Sequence, residues 1–161
     1  MNSQVINLKG KTGIQNIVID SKQTATLFLD ELQNNLVLNF EINEEAEVRA
    51  SIIADCELKE LKICANLEKN ARFEVFFADF SNKCINLKAD INLNDNGASA
   101  IWHLASLADN KDNKDICVSI LHNAPETFGQ VDNYGVCKND AKLLFSGTSH
   151  ITNGCVKSKT I

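Results

Sequence analysis

Four segments of this chain line up on a strand followed by a short turn: "LVLNFEINEEA" (36–46), "LKICANLEKNA" (61–71), "INLKADINLNDNG" (85–97) and "ICVSILHNA" (116–124). Their small turn residues Ala46, Ala71, Gly97 and Ala124 are separated by 25, 26 and 27 positions. Within each segment apolar residues alternate with polar ones, as in Leu36/Leu38/Phe40/Ile42 and Ile116/Val118/Ile120. That is the period of a strand with one buried face. After each turn comes a second strand-like run, "EVRASIIA", "RFEVFFADF" and "ASAIWHLASL".

Recurrence of the same turn chemistry and the same core phase is what stacked coils require, because each coil buries its apolar face only against its neighbours. The repeat predicts an all-β protein, a right-handed parallel β-helix (β-solenoid) with coils of ~25 residues. An antiparallel β-sandwich is the alternative. A single proline, Pro125, suits stacked strands, where proline would remove a ladder hydrogen bond. No helix is predicted, and the first half of "TATLFLDELQNN" reads as a strand. At 161 residues the chain is expected to form one domain, 1–161.

A net charge of −5 with scattered basic residues argues against nucleic acid as a main partner. No apolar run has the length of a membrane helix, and the start "MNSQVINLKGKTG" lacks signal-peptide character, so a cytoplasmic protein is expected. In that compartment the six cysteines, Cys56, Cys64, Cys84, Cys117, Cys137 and Cys155, read as free thiols. Their spacings match no zinc pattern, so a metal site would need residues distant in sequence.

The repeat places His122 in a column with Glu44, Lys69 and Asp95, which reads as an exposed or half-exposed turn histidine, with Pro125 helping to turn the corner. His103 aligns with core positions Ile52 and Phe77. Either it is buried with a partner, or the strand is shifted and Trp102 points inward. His150 reads as a solvated strand residue, and the cluster Glu44, Glu45 and Glu47 as a solvated turn. Cys64 and Cys117 are expected in one outward column, two coils and about 10 Å apart, beyond disulfide reach. No hydrolase triad, phosphate-binding glycine loop or metalloprotease motif is visible, so no catalytic residue is assigned.

The run "LHNAPETFGQVDNYGVCKNDAKLLFSGTSHITNGCVKSKT" (121–160) resembles the SufB/SufD family, the β-helical components of the SUF iron–sulfur cluster assembly machinery. The signature residues are His122, Pro125 and Thr127 of an H-x-x-P-x-T element, then Gly135, Phe145-x-Gly147, and Lys157 followed by Ser158. The resemblance implies a scaffold part and not an enzyme, working with the ATPase SufC while a cluster is built and passed on. The family's cluster-associated Cys and His residues and its SufC-binding helical region follow the Lys-Ser segment, so the chain reads as a shortened form from which no ligand is carried over. A transient iron–sulfur cluster would rest on thiols such as Cys117, Cys137 or Cys155. Expected partners are a SufB/SufD-like β-helix, a SufC-type ATPase, or a second copy joined through the carboxyl-terminal coil. Two other functions compete: a metal-free β-helical interaction module and, ranked last because aromatics are only 6%, a polysaccharide-active β-helix.

Overall fold

The computed structural model describes residues 3–55, 58–82 and 84–161. Cys56 lies outside the described residues, and for Cys84 only the backbone is described. Among the described residues thirteen strands run in chain order: β1 (Ser3–Asn7), β2 (Ile14–Ile19), β3 (Thr24–Leu29), β4 (Leu36–Ile42), β5 (Glu47–Ala54), β6 (Glu60–Leu67), β7 (Arg72–Asp79), β8 (Cys84–Leu93), β9 (Ser99–Ala108), β10 (Asn113–His122), β11 (Phe128–Cys137), β12 (Lys142–Ile151) and β13 (Lys159–Thr160). The odd strands form one seven-stranded sheet, the even strands a six-stranded one. Every ladder is parallel, for example β5 with β7 and β8 with β10, and among the described residues there is no helix. The chain is a β-solenoid; the sandwich alternative fails because a sandwich of that kind is built from antiparallel pairs.

The coils are not of one length. Partners in the odd sheet are Thr24↔Glu47, Glu47↔Arg72, Arg72↔Ser99, Ser99↔Phe128 and Phe128↔Lys159, so the coil lengthens by two residues at each step, from 23 to 31. The strands widen accordingly, from 6 residues in β3 to 8 in β5 and 10 in β9. In the even sheet the separations are 23, 25, 26, 29 and 29, and buried residues still meet buried residues, as in Leu61↔Leu87, so the connections absorb the odd changes while each strand keeps its period of two.

This growth corrects the expected turn column. Ala46 and Ala71 are buried after left-handed residues Glu45 and Asn70, but the next equivalents are Ala98, after Gly97, and Thr127, after Glu126. The sequence spacings of 25, 26 and 27 put Gly97 and Ala124 in those places instead. The turns are tied coil to coil: Lys22 N donates to Glu44 O, Glu45 N to Lys69 O, Asn70 N to Asn96 O and Glu126 N to Val156 O, at 2.8–3.0 Å. Amides beside the left-handed corners are thereby satisfied by the next coil and not by water.

Between the sheets runs one continuous core, including Phe40 against Phe73 at 5.0 Å and Phe77 against Trp102 at 6.1 Å between ring centroids. Trp102 is fully buried and pairs with Val75, while His103 pairs with Phe76 on the outer face, so the shifted alternative is the one found. His150 stands exposed on the outer side of β12.

Candidate functional site at the last corner

The signature residues meet where β10 turns into β11. His122, the last residue of β10, pairs with Leu93 on one side and Ile151 on the other, which points its ring inward with Ile116, Val118 and Ile120. It is fully buried, which corrects the expectation of an exposed turn histidine in a column with Glu44, Lys69 and Asp95. The reason is the longer coil: two more residues of β10 remain in strand geometry before the chain turns.

Both ring nitrogens are engaged by hydroxyls. Nδ1 lies 2.8 Å from Thr127 Oγ1 and Nε2 3.3 Å from Ser149 Oγ. Thr127 Oγ1 is also 3.1 Å from Ala124 O and 2.9 Å from Ser158 Oγ, and Ser158 Oγ reaches Ala124 O at 3.1 Å. One hydroxyl cluster thus ties the ring of β10, the corner and the following coil together. Burial holds the imidazole below its usual pKa, favouring the neutral ring that such a cluster accommodates.

Glycines make the space. A Cβ on Gly129 would stand 3.0 Å from His122 Nε2 and 3.0 Å from Ile120 Cγ2. One on Gly135 would stand 2.5 Å from Leu143 Cδ2 and 2.8 Å from Phe145 Cε2, so Gly135 lets β12 pack across the coil. Gly147 has no such constraint, with nothing within 4 Å. Lys157 takes the left-handed corner position at φ 62 and sets its ammonium 3.0 Å from Glu126. That contact lowers the Glu126 pKa, together with the amide of Asn96. Pro125 offers its carbonyl to Gly97 N at 3.4 Å.

The three candidate thiols stand apart. Cys117 is half-buried in mid-β10. Exposed Cys137 faces Ala141 O at 3.1 Å before β12 begins, and half-buried Cys155 faces His122 O at 3.5 Å after β12 ends. The ten residues of β12 separate those two by roughly 30 Å. Cys64 and Cys117 do not share a column: Cys64 lies opposite Asp90, and Cys117 lies opposite Lys88. Among the described residues no group of three His, Cys, Asp or Glu is placed to hold a metal ion.

A second polar cluster lies in the core. Asp79 and Lys114 are both fully buried and joined at 2.9 Å, with Ser106 Oγ donating to Asp79 at 2.5 Å and the Ser81 hydroxyl and amide donating to its other oxygen. Lys114 also donates to Leu107 O at 2.7 Å. Its signal is in the sequence: Asp79 follows Phe73, Val75 and Phe77 in phase, and Lys114 precedes Ile116 and Val118 in phase. Gly129 and Ser149 carry no such signal, because what they stand beside depends on the coil lengths.

Neither a curated protein nor a solved structure matches the chain. A family model does: the SUF system FeS cluster assembly SufBD core domain, over residues 10–161. That range takes in the repeated coils as well as the corner that carries the signature, and the parallel solenoid is the architecture expected of such a core. The chain therefore belongs to the SufB/SufD family of SUF iron–sulfur cluster assembly proteins.

Proposed function

We propose that the chain is a non-catalytic scaffold or accessory component of SUF iron–sulfur cluster assembly, acting in the cytoplasm beside a SufB/SufD-like β-helix and a SufC-type ATPase. The observation that carries this reading is His122. The signature's one imidazole is enclosed by Thr127, Ser149 and Gly129 and serves the corner, which supports a part whose value is shape. A histidine poised as ligand or base would offer a ring nitrogen to an incoming atom.

The thiols Cys117, Cys137 and Cys155 are too dispersed to surround one cluster within a single chain, so a transient cluster would be shared with a partner's ligands. Co-expression with the SUF partners followed by anaerobic purification, iron analysis and visible absorption tests the reading. Co-purification, with cluster absorption that appears in the complex and falls on Cys→Ser substitution at these three positions, is the expected result. Failure to associate with any SUF component would overturn it. Association without iron would favour the metal-free interaction module, a reading supported by the exposed apolar residues on the outer face of the odd-numbered sheet.

A further inference from the structure

Asparagine followed by glycine is the pair in which a main-chain nitrogen most readily attacks the side-chain amide before it. Glycine has no Cβ to shield that nitrogen, and the ring that closes has five members. The chain has two such pairs, Asn96–Gly97 and Asn153–Gly154, each where an even strand turns into an odd one. The first is held between coils. The Gly97 N–H reaches Pro125 O at 3.4 Å on one side, and on the other a Cβ at Gly97 would collide with Asn70 Oδ1. Asn96 gives its side-chain amide to Glu126 Oε2 at 3.4 Å, and its carbonyl accepts from Asn70 N at 2.9 Å.

The second pair has none of these ties. Its corner is two residues longer than the one beneath it: His122 and Phe128, six positions apart, pair with Ile151 and Lys159, eight apart. The added length emerges as the turn Thr152–Cys155, closed by Cys155 N donating to Thr152 O at 3.1 Å, with Gly154 at φ 89 in third place. That is the pattern of a type II turn, whose third position calls for glycine. Asn153 and Gly154 are both exposed, and a Cβ on Gly154 would meet nothing within 4 Å. Among the described residues neither the Asn153 side-chain amide nor the Gly154 N–H has a hydrogen-bond partner.

We propose that Asn153–Gly154 is a self-modifying site, which converts to aspartate and isoaspartate in the folded chain while Asn96–Gly97 persists. The Gly154 nitrogen gives its proton to hydroxide or a buffer base and bonds to Asn153 Cγ. The Cγ–Nδ2 bond breaks, and ammonia leaves with a proton from solvent. Water then opens the five-membered succinimide, at Cγ to give aspartate or at the main-chain carbonyl carbon to give isoaspartate. One water is consumed and one ammonia released, with no change of oxidation state. Isoaspartate routes the main chain through the side-chain carbons and lengthens it by one atom inside a closed turn. The residues that follow are bound to the signature corner, Cys155 Sγ facing His122 O at 3.5 Å and Ser158 Oγ lying 2.9 Å from Thr127 Oγ1. The lengthened turn therefore bears on the hydroxyl cluster around His122.

Peptide mass mapping of the full chain, held in mildly alkaline buffer both folded and in urea, tests it. In the folded chain the peptide carrying residue 153 is expected to take the mass of aspartate in place of asparagine and to split into aspartyl and isoaspartyl forms. The peptide carrying residue 96 is expected to convert at least about tenfold more slowly, a factor that corresponds to about 1.4 kcal/mol of corner hydrogen bonds to be opened first. In urea the two peptides are expected to convert at similar rates, because the protection of Asn96 belongs to the fold. Asn153→Gln, which cannot close a five-membered ring, is expected to keep its mass at residue 153 and leave the rate at residue 96 unchanged. A folded chain in which residue 153 stays intact while the unfolded chain converts overturns the proposal, and so does equal conversion at residues 96 and 153.

Discussion

Removing the ammonium of Lys114 is expected to be the most damaging single change in the core. The pair it forms with Asp79 has no exposed surface on either side chain. In Lys114→Met the carboxylate keeps three neutral donors, Ser81 N, Ser81 Oγ and Ser106 Oγ, but loses the countercharge of the ammonium. Leaving one partner of a buried pair alone costs about 3–5 kcal/mol. A chain of 161 residues has roughly 8–24 kcal/mol of total stability at typical values per residue. With a urea slope of about 2 kcal/mol per molar, the unfolding midpoint should fall by about 1.5–2.5 M. Removing both charges, in Lys114→Met with Asp79→Leu, should recover a large part of that loss, since an apolar replacement of a buried pair is often near neutral. What remains is the cost of Ser81 and Ser106 hydroxyls left without their acceptor, about 1–3 kcal/mol each at most. A midpoint shift below about 0.5 M for the single variant, or a double variant no better than the sum of its singles, would refute the reasoning.

His122 gives the chain a pH dependence of definite sign. Burial holds the folded ring below the unfolded value of about 6.5, so the unfolded chain binds the proton more readily. Its contribution is therefore complete above that unfolded value and is lost as pH falls from there toward the folded pKa. Urea midpoints measured at intervals between pH 8 and pH 5 should decline more steeply for wild type than for His122→Gln, and equal slopes would disprove the assignment. Gly129→Ala forces a methyl to within 3.0 Å of His122 and Ile120 and should cost about 1–3 kcal/mol. Gly147→Ala, with open space around it, should stay within about 0.5 kcal/mol of wild type in the same assay. One residue inserted between Ala105 and Ser106 should abolish the urea transition by turning the end of β9 over. Two inserted there should preserve a cooperative one, because a shift of two returns each side chain of β9 to its own face.

The solenoid was legible because its causes are local. Alternation in β4, β6, β8 and β10 reports which face of each strand is buried, and a turn that recurs with small residues reports that the faces stack. Even the shift that brings Trp102 inward and His103 outward was among the readings that alternation allows. The Cys117 and His122 columns were not legible, for a different reason. Their partners depend on the accumulated length of every coil between them, and coil separations of 25, 26, 29 and 29 residues in their sheet leave the alternation within each strand unchanged while moving each equivalence along the chain.

Residue type and phase alone thus determined that this chain is a stack of parallel strands and which residues could enter its core. Only the tertiary structure decided that His122 ends up enclosed by Thr127, Ser149 and Gly129, and that Lys114 finds Asp79 from the opposite sheet. Only it, too, gathers Ile53, Phe76, Phe80 and Tyr134 on one exposed face. Burial on one side of a strand follows from a period of two within a few residues. Neighbourhood across coils is a property of register, which no short stretch of sequence contains.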